Sequence, residues 1–183
     1  MRKITTHLWF DKEAREAAEF YVSLFKDSKL GSAAKLHETP SGTVDLATIE
    51  LRGRGFTLLS AGPLSKFTPS VSFLVACKTK KEVDALWQEL LKGGLALMDL
   101  GKYPFSERYG WVQDRYGLSW QLMFAGDREI KQKITPTPIF VDKQCGNAEE
   151  AINAYVSVFQ NAKVGDILRY GKGEEPDEEG TVS

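Results

Sequence analysis

The sequence predicts an α+β fold made of paired β-α-β-β-β units whose strands form a curved mixed β-sheet. Three observations carry this reading. Strand-like alternation and helix-like spacing follow each other in the order one strand, one helix, three strands. That order then occurs a second time. Finally, a long-period repeat restarts it near residue 134.

Residues 4–10 alternate, with His7 and Trp9 on one side and Leu8 and Phe10 on the other. Glu13 to Lys26 has helical spacing: Ala17, Phe20, Tyr21, Leu24 and Phe25 recur every three or four residues, while Glu13, Arg15, Glu16 and Glu19 face water. Gly31 follows near the usual stop. Strands are expected near 33–38, 43–51 and 54–61, separated by Pro40-Ser41-Gly42 and by Arg52-Gly53-Arg54-Gly55. The second unit opens with a strand over 70–77. Thr79 and Glu82 have capping-box spacing ahead of a helix that buries Val83, Leu86, Trp87, Leu90 and Leu91 and ends at Gly93-Gly94. Strands near 95–99, 109–114 and 118–124 complete it, the last two joined by the turn Asp114-Arg115-Tyr116-Gly117.

The repeat follows a polar stretch. Tyr21-Val22-Ser23-Leu24-Phe25 recurs as Tyr155-Val156-Ser157-Val158-Phe159, and Ile4-Thr5-Thr6 aligns with Ile134-Thr135-Pro136, with a short insertion between strand and helix in the second copy. The expected organisation is therefore a complete domain over 1–126, a linker over 127–133, and a partial second domain over 134–183. In that last part a helix from 147 or 148 to 160 precedes a strand near 163–170. The acidic run from Gly173 to Gly180 reads as a solvated turn, and Gly180-Thr181-Val182 matches Gly42-Thr43-Val44.

Composition narrows the function classes. Hydrophobic residues make up 42% and charged residues 27%, the balance of a globular chain. A formal charge of −1 supplies no field to draw in nucleic acid or an anionic membrane, so neither is an expected partner. No apolar run is long enough to span a bilayer, and no signal core follows Met1-Arg2-Lys3. Cys77 and Cys145 suit a reducing cytoplasm, the expected location.

Several stretches carry a resemblance. These are Phe56-Thr57-Leu58-Leu59-Ser60-Ala61-Gly62-Pro63, Lys66-Phe67-Thr68-Pro69, and above all the Gly110, Asp114, Gly117, Trp120, Gln121 pattern. They resemble the PhnB-like family, catalogued as 3-demethylubiquinone-9 3-methyltransferase-like, within the vicinal oxygen chelate superfamily of glyoxalases, bleomycin-resistance proteins and dioxygenases. The resemblance implies a glyoxalase/bleomycin-resistance-like fold, a sheet-lined cleft that holds a small-molecule ligand, and a homodimer.

Metal-dependent relatives place a His or Glu on the first strand and a Glu on the last. The matching positions here are His7 and Gln121. A neutral amide is a poor ligand for a divalent ion, so His7 is the metal-ligand candidate, a divalent metal is a possible cofactor, and none is firmly implied. The bland reading of His7 is a hydrogen-bonded histidine at the cleft. The candidate ligand-binding residues are Trp9, which shares a face with His7, Ser60 at a strand end, Trp111 on a hairpin, and Gln121, which shares a face with Ser119 and Met123. Three readings stand side by side: a small-molecule binder, a metal-dependent glyoxalase- or dioxygenase-type enzyme using His7, and a sequestering or scaffold dimer. Methyl transfer is not expected. Enzymes that use S-adenosylmethionine need a Gly-rich strand-to-helix turn, and none follows a strand here.

Overall fold

A computed structural model describes residues 4–173 and 179–182. The acidic run expected as a solvated turn lies mostly outside the described residues. The chain divides into two compact units, Met1–Thr137 and Pro138–Ser183.

The first unit holds β1 (Thr6–Phe10), α1 (Ala14–Leu24), β2 (Ser28–Thr39), β3 (Gly42–Leu51) and β4 (Arg54–Ser60), followed by β5 (Val71–Cys77), α2 (Lys80–Leu90), β6 (Leu95–Tyr103), β7 (Ser106–Gln113) and β8 (Ser119–Phe124). This is the predicted β-α-β-β-β order, twice. Four strands form one sheet in the order β1-β4-β3-β2, and a second runs β6-β7-β8-β5 and gains β9 (Ile134–Pro138) beside β5. Both sheets are mixed: β1 with β4 and β5 with β8 are parallel, and the other pairings for which registers are resolved are antiparallel. The strand expected to open a second domain thus adds to an edge of the first unit's sheet.

One apolar core joins both sheets to both helices. Leu8, Phe10, Ile49, Leu51, Phe56 and Leu58 meet Ala17, Tyr21 and Phe25 of α1, while Phe73, Val75, Trp120 and Leu122 meet Val83, Leu86 and Leu90 of α2. Phe56, Phe73, Trp120 and Phe25 form a chain of ring contacts, each between 5.3 and 5.5 Å apart, that crosses from one sheet to the other. Burying each such ring removes it from water at a gain of about 2–3 kcal/mol. The other faces of the sheets turn away from the helices.

Two local features explain how the helices seat. Thr79 Oγ1 accepts a bond from the Glu82 amide at 3.1 Å, but Glu82 reaches back to the Lys78 amide at 2.9 Å instead of closing a reciprocal box on Thr79. Its second oxygen pairs with Arg52, which ties the β3–β4 turn to α2. Gly110 on β7 leaves room for the Trp87 ring. A Cβ there would lie 2.6 Å from the indole, so only glycine lets α2 pack this close.

The second unit contains a 3-10 turn (Asp142–Gln144) and α3 (Ala148–Val158). The strand expected near 163–170 does not form. Residues 163–168 are irregular, and Arg169 makes a single antiparallel bridge to Val182. Arg169 also pairs with Glu149 of α3 at 2.7 Å, so its side chain is directed along the unit and not into a ladder.

Candidate functional site

Alternation along β8 puts Trp120 and Leu122 in the core and turns Ser119, Gln121 and Met123 to the helix-free face. The register brings Trp111 of β7 opposite Gln121, and β5 brings Ser72 opposite Ser119. A continuous polar chain results. Tyr109 donates its hydroxyl to Gln121 Oε1 at 2.7 Å, Gln121 Nε2 donates to Ser72 Oγ at 2.7 Å, and Ser72 Oγ donates to the Thr137 carbonyl at 3.4 Å. Beside it, Trp111 Nε1 donates to Ser119 Oγ at 2.6 Å. Ser72 and Ser119 are fully buried, so these bonds are what makes their burial tolerable. Burial pushes the Tyr109 phenol well above its ordinary range, with the neighbouring Tyr103 adding to the shift; it therefore acts as a neutral donor.

Tyr109 is also the base of an aromatic cluster. Tyr103 and Phe105 stack at 5.7 Å, and each meets Tyr109 edge-on. They border a cavity of about 1050 Å³ whose walls include Phe105, Ser106, Phe124 and Arg128. Sequence reasoning missed Tyr103, Phe105 and Tyr109. The available signal was the Tyr103-Pro104-Phe105 hairpin tip, with two rings flanking a proline next to an alternating strand.

On the other sheet, His7 and Trp9 do share a face, with Thr57 and Leu59 as their β4 neighbours. Trp9 Nε1 is committed to the Gly62 carbonyl at 2.8 Å, which pins the indole over the loop after β4. His7 is exposed. Ser60 departs from expectation. It lies on the helix side with Phe56 and Leu58, and its Oγ accepts the Ala14 amide at 3.1 Å. Since α1 has no side-chain cap of its own, Ser60 caps it from across the fold and is turned away from Trp9. The structure therefore groups Trp111 with Gln121 on one sheet and His7 with Trp9 on the other, and removes Ser60 from that face.

A divalent metal does not fit the residues present. Among the described residues no three His, Cys, Asp or Glu side chains gather where they could hold one ion. His7 has Thr57 across from it, and Gln121 already spends its oxygen on Tyr109 and its nitrogen on Ser72.

Asp114 is the other charged group with an unusual setting. Oδ2 accepts from Tyr21 Oη at 2.8 Å and Trp120 Nε1 at 2.9 Å, while Oδ1 accepts from the amides of Tyr116 and Leu118 at 2.9 and 3.0 Å. Burial raises its carboxyl above the ordinary range against the pull of those four donors. Sequence reasoning saw only a turn residue here. The Gly110, Asp114, Gly117, Trp120, Gln121 pattern thereby resolves into separate jobs: room for Trp87, a hub for four donors, a positive-φ turn (φ 87°), a core indole, and the polar chain.

A family profile described as 3-demethylubiquinone-9 3-methyltransferase matches residues 2–123. A PhnB protein from Bacillus cereus, itself described by that methyltransferase name, is 40% identical over 68% of this chain and all of its own, with a TM-score of 0.62. Protein PA1353 from Pseudomonas aeruginosa (21% identity, 69% of this chain and 100% of that one, TM-score 0.59) shares the fold. So does the fosfomycin resistance protein FosX from Listeria monocytogenes (13%, 67% and 94%, TM-score 0.51). No curated relative matches the chain.

Proposed function

We propose that this chain, which belongs to the PhnB-like 3-demethylubiquinone-9 3-methyltransferase family of the vicinal oxygen chelate superfamily, binds a small organic molecule on the helix-free face of its second sheet. The observation that carries this reading is the pairing of aromatic surface with an ordered polar chain: Trp111 and Tyr109 beside Gln121, Ser72 and Ser119. Gln121 keeps one lone pair and one N–H beyond the bonds described, so it can accept from and donate to one ligand while its orientation stays set by Tyr109 and Ser72. Trp9 and the Tyr103–Phe105 stack supply flat apolar walls nearby in the fold's design.

Methyl transfer from S-adenosylmethionine is not part of the proposal. The strand-to-helix turns of the first unit, Asp11-Lys12-Glu13 and Lys78-Thr79, contain no glycine to admit a nucleoside's backbone contacts. A metal centre on His7 has the weaker support, for want of partner ligands. Among the described residues no helix is long and apolar enough to cross a membrane. The reading extends to a cytoplasmic homodimer, in which residues 134–183 are a partial second PhnB-like copy. The repeated Tyr-Val-Ser motif and the exposed Tyr155, Val158 and Phe159 support it.

Quenching of tryptophan fluorescence by a panel of small hydroxylated and aromatic organic acids tests the site. A saturable ligand should weaken at least tenfold with Gln121→Leu and with Trp111→Phe, and hold in His7→Ala. Unchanged affinity in the first two variants overturns the site. A stoichiometric metal, measured by atomic emission and lost in His7→Ala, overturns the metal-free reading.

A further inference from the structure

A second cavity, of about 400 Å³, opens in the first unit between the β3–β4 turn and the segment 130–134, and shares no lining residue with the polar chain around Gln121. Its volume falls in the range of small-molecule sites, about 300–1000 Å³. Its walls include four cationic side chains, Arg52, Arg54, Lys131 and Lys133, and no carboxylate. In a chain whose formal charge is −1, that is a local excess of one sign.

The cations are not equivalent. Arg52 is fixed: its buried guanidinium pairs with Glu82 and lies 5.3 Å above the Phe25 ring. Its backbone is held at φ 48°, followed by Gly53 at φ 85°, so an arginine occupies the first position of a two-residue turn where asparagine or glycine sits more easily. Arg54 is aimed by its Nε bond to the Ile134 carbonyl at 2.9 Å. The opposite wall is pinned by the Ala76 amide on the Lys133 carbonyl at 3.0 Å and by Gln132 Nε2 on the Ile134 carbonyl at 2.8 Å. Lys133 Nζ stands 3.5 Å from Asp27, with both side chains well exposed, and such a contact neutralises little. Even with Glu82 and Asp27 counted against the four cations, the wall stays positive. A concave surface of one sign concentrates counter-ions.

We propose that this cavity binds a small polyanion, a metabolite carrying either phosphate or several carboxylates, with Arg54 as the oriented contact and Lys131 and Lys133 closing on it from the facing segment. The proposal stands apart from the reading of the helix-free face and does not depend on it.

Isothermal titration in low salt, with pyrophosphate and citrate as probes, tests it. One saturable site is expected for at least one of the two, and which one binds tells phosphate from carboxylate. The paired variant Lys131→Glu/Lys133→Glu should weaken that binding at least tenfold, with an unchanged circular dichroism spectrum because both side chains project into solvent. Lys66→Glu/Lys143→Glu, with the same change in net charge at exposed positions elsewhere, should shift it less than twofold. No saturation by either probe overturns the proposal, as does an equal loss in the two paired variants. Binding of heparin or nucleic acid alone, without pyrophosphate or citrate, also overturns it.

Discussion

Helices α1 and α3 carry the same local instructions and end in different surroundings. Each begins after a residue of nearly the same backbone geometry, Glu13 at φ −92° and ψ 8° and Asn147 at φ −85° and ψ 1°. Both close with the amide of the phenylalanine on the tyrosine carbonyl, Phe25 on Tyr21 and Phe159 on Tyr155. Shortly afterwards each chain turns through a positive φ, at Asp27 (58°) and Asn161 (62°). Yet Tyr21 is 0% exposed and Tyr155 57%, and no residue of α3 is buried. Short-range sequence sets a helix, its ends and its apolar stripe. Burial of that stripe depends on residues far away, and α1 has them in Asp114, Tyr116 and Trp120, which all lie on the hairpin of β7 and β8.

The contrast can be broken or sharpened by experiment. The largest expected effect is chemical. Cys77 is buried on β5, where burial lifts its thiol to about 12, while Cys145 is exposed just before α3. At about pH 8 the resulting loss of thiolate slows reaction with a disulfide reagent by about a thousandfold. Ellman's reagent should therefore label one thiol quickly, with the second appearing only in denaturant. Two fast thiols would mean that the first unit's core is as open as α3.

Next comes truncation of the matched tyrosines. Tyr21→Ala should cost about 4 kcal/mol, as a large buried ring is lost and Asp114 loses a donor. Tyr155→Ala should stay within about 0.5 kcal/mol, as for an exposed side chain. Urea unfolding of both variants decides it. A cost above about 2 kcal/mol at Tyr155 would show that α3 is covered in solution.

The smallest effect is a pH dependence. A carboxyl whose folded pKa stands above its unfolded value contributes stability that is fully present below the unfolded value and lost as pH rises through the folded one. Asp114 is such a group. Asp114→Asn should cost about 2 kcal/mol near neutrality, because an amide turns a donor toward donors. The gap to the parent should widen toward about pH 3. A gap that narrows on acidification would mean that the four donors outweigh burial.

Much of the architecture was legible in the sequence because strands and helices announce themselves through periods of two and 3.6 residues. Trp87 and Trp120 fell in the core as their spacing implied, and Leu8 and Phe10 separated from His7 and Trp9. The site was less legible. Ser60 alternates onto the helix side and caps α1 from 46 residues away, a non-local bond that no window of neighbouring residues contains. Gln121 was visible on its strand, but its partners Tyr109 and Ser72 depend on strand pairing across the sheet. The strand expected near 163–170 failed for a related reason: apolar alternation forms a ladder only where a neighbour is supplied, and Arg169 makes a single bridge.

The bond from Tyr21 to Asp114 joins residues 93 positions apart, which orders events during synthesis. On a ribosome adding about 5–20 residues per second, α1 emerges roughly 5–20 s before the aspartate that receives its tyrosine. Throughout that interval Tyr21 and Phe25 have no completed socket, and a nascent chain in this state is a natural client for a chaperone. The finished molecule keeps a picture of that stage in α3, whose tyrosine and phenylalanine stand where those of α1 stood before the second hairpin was made.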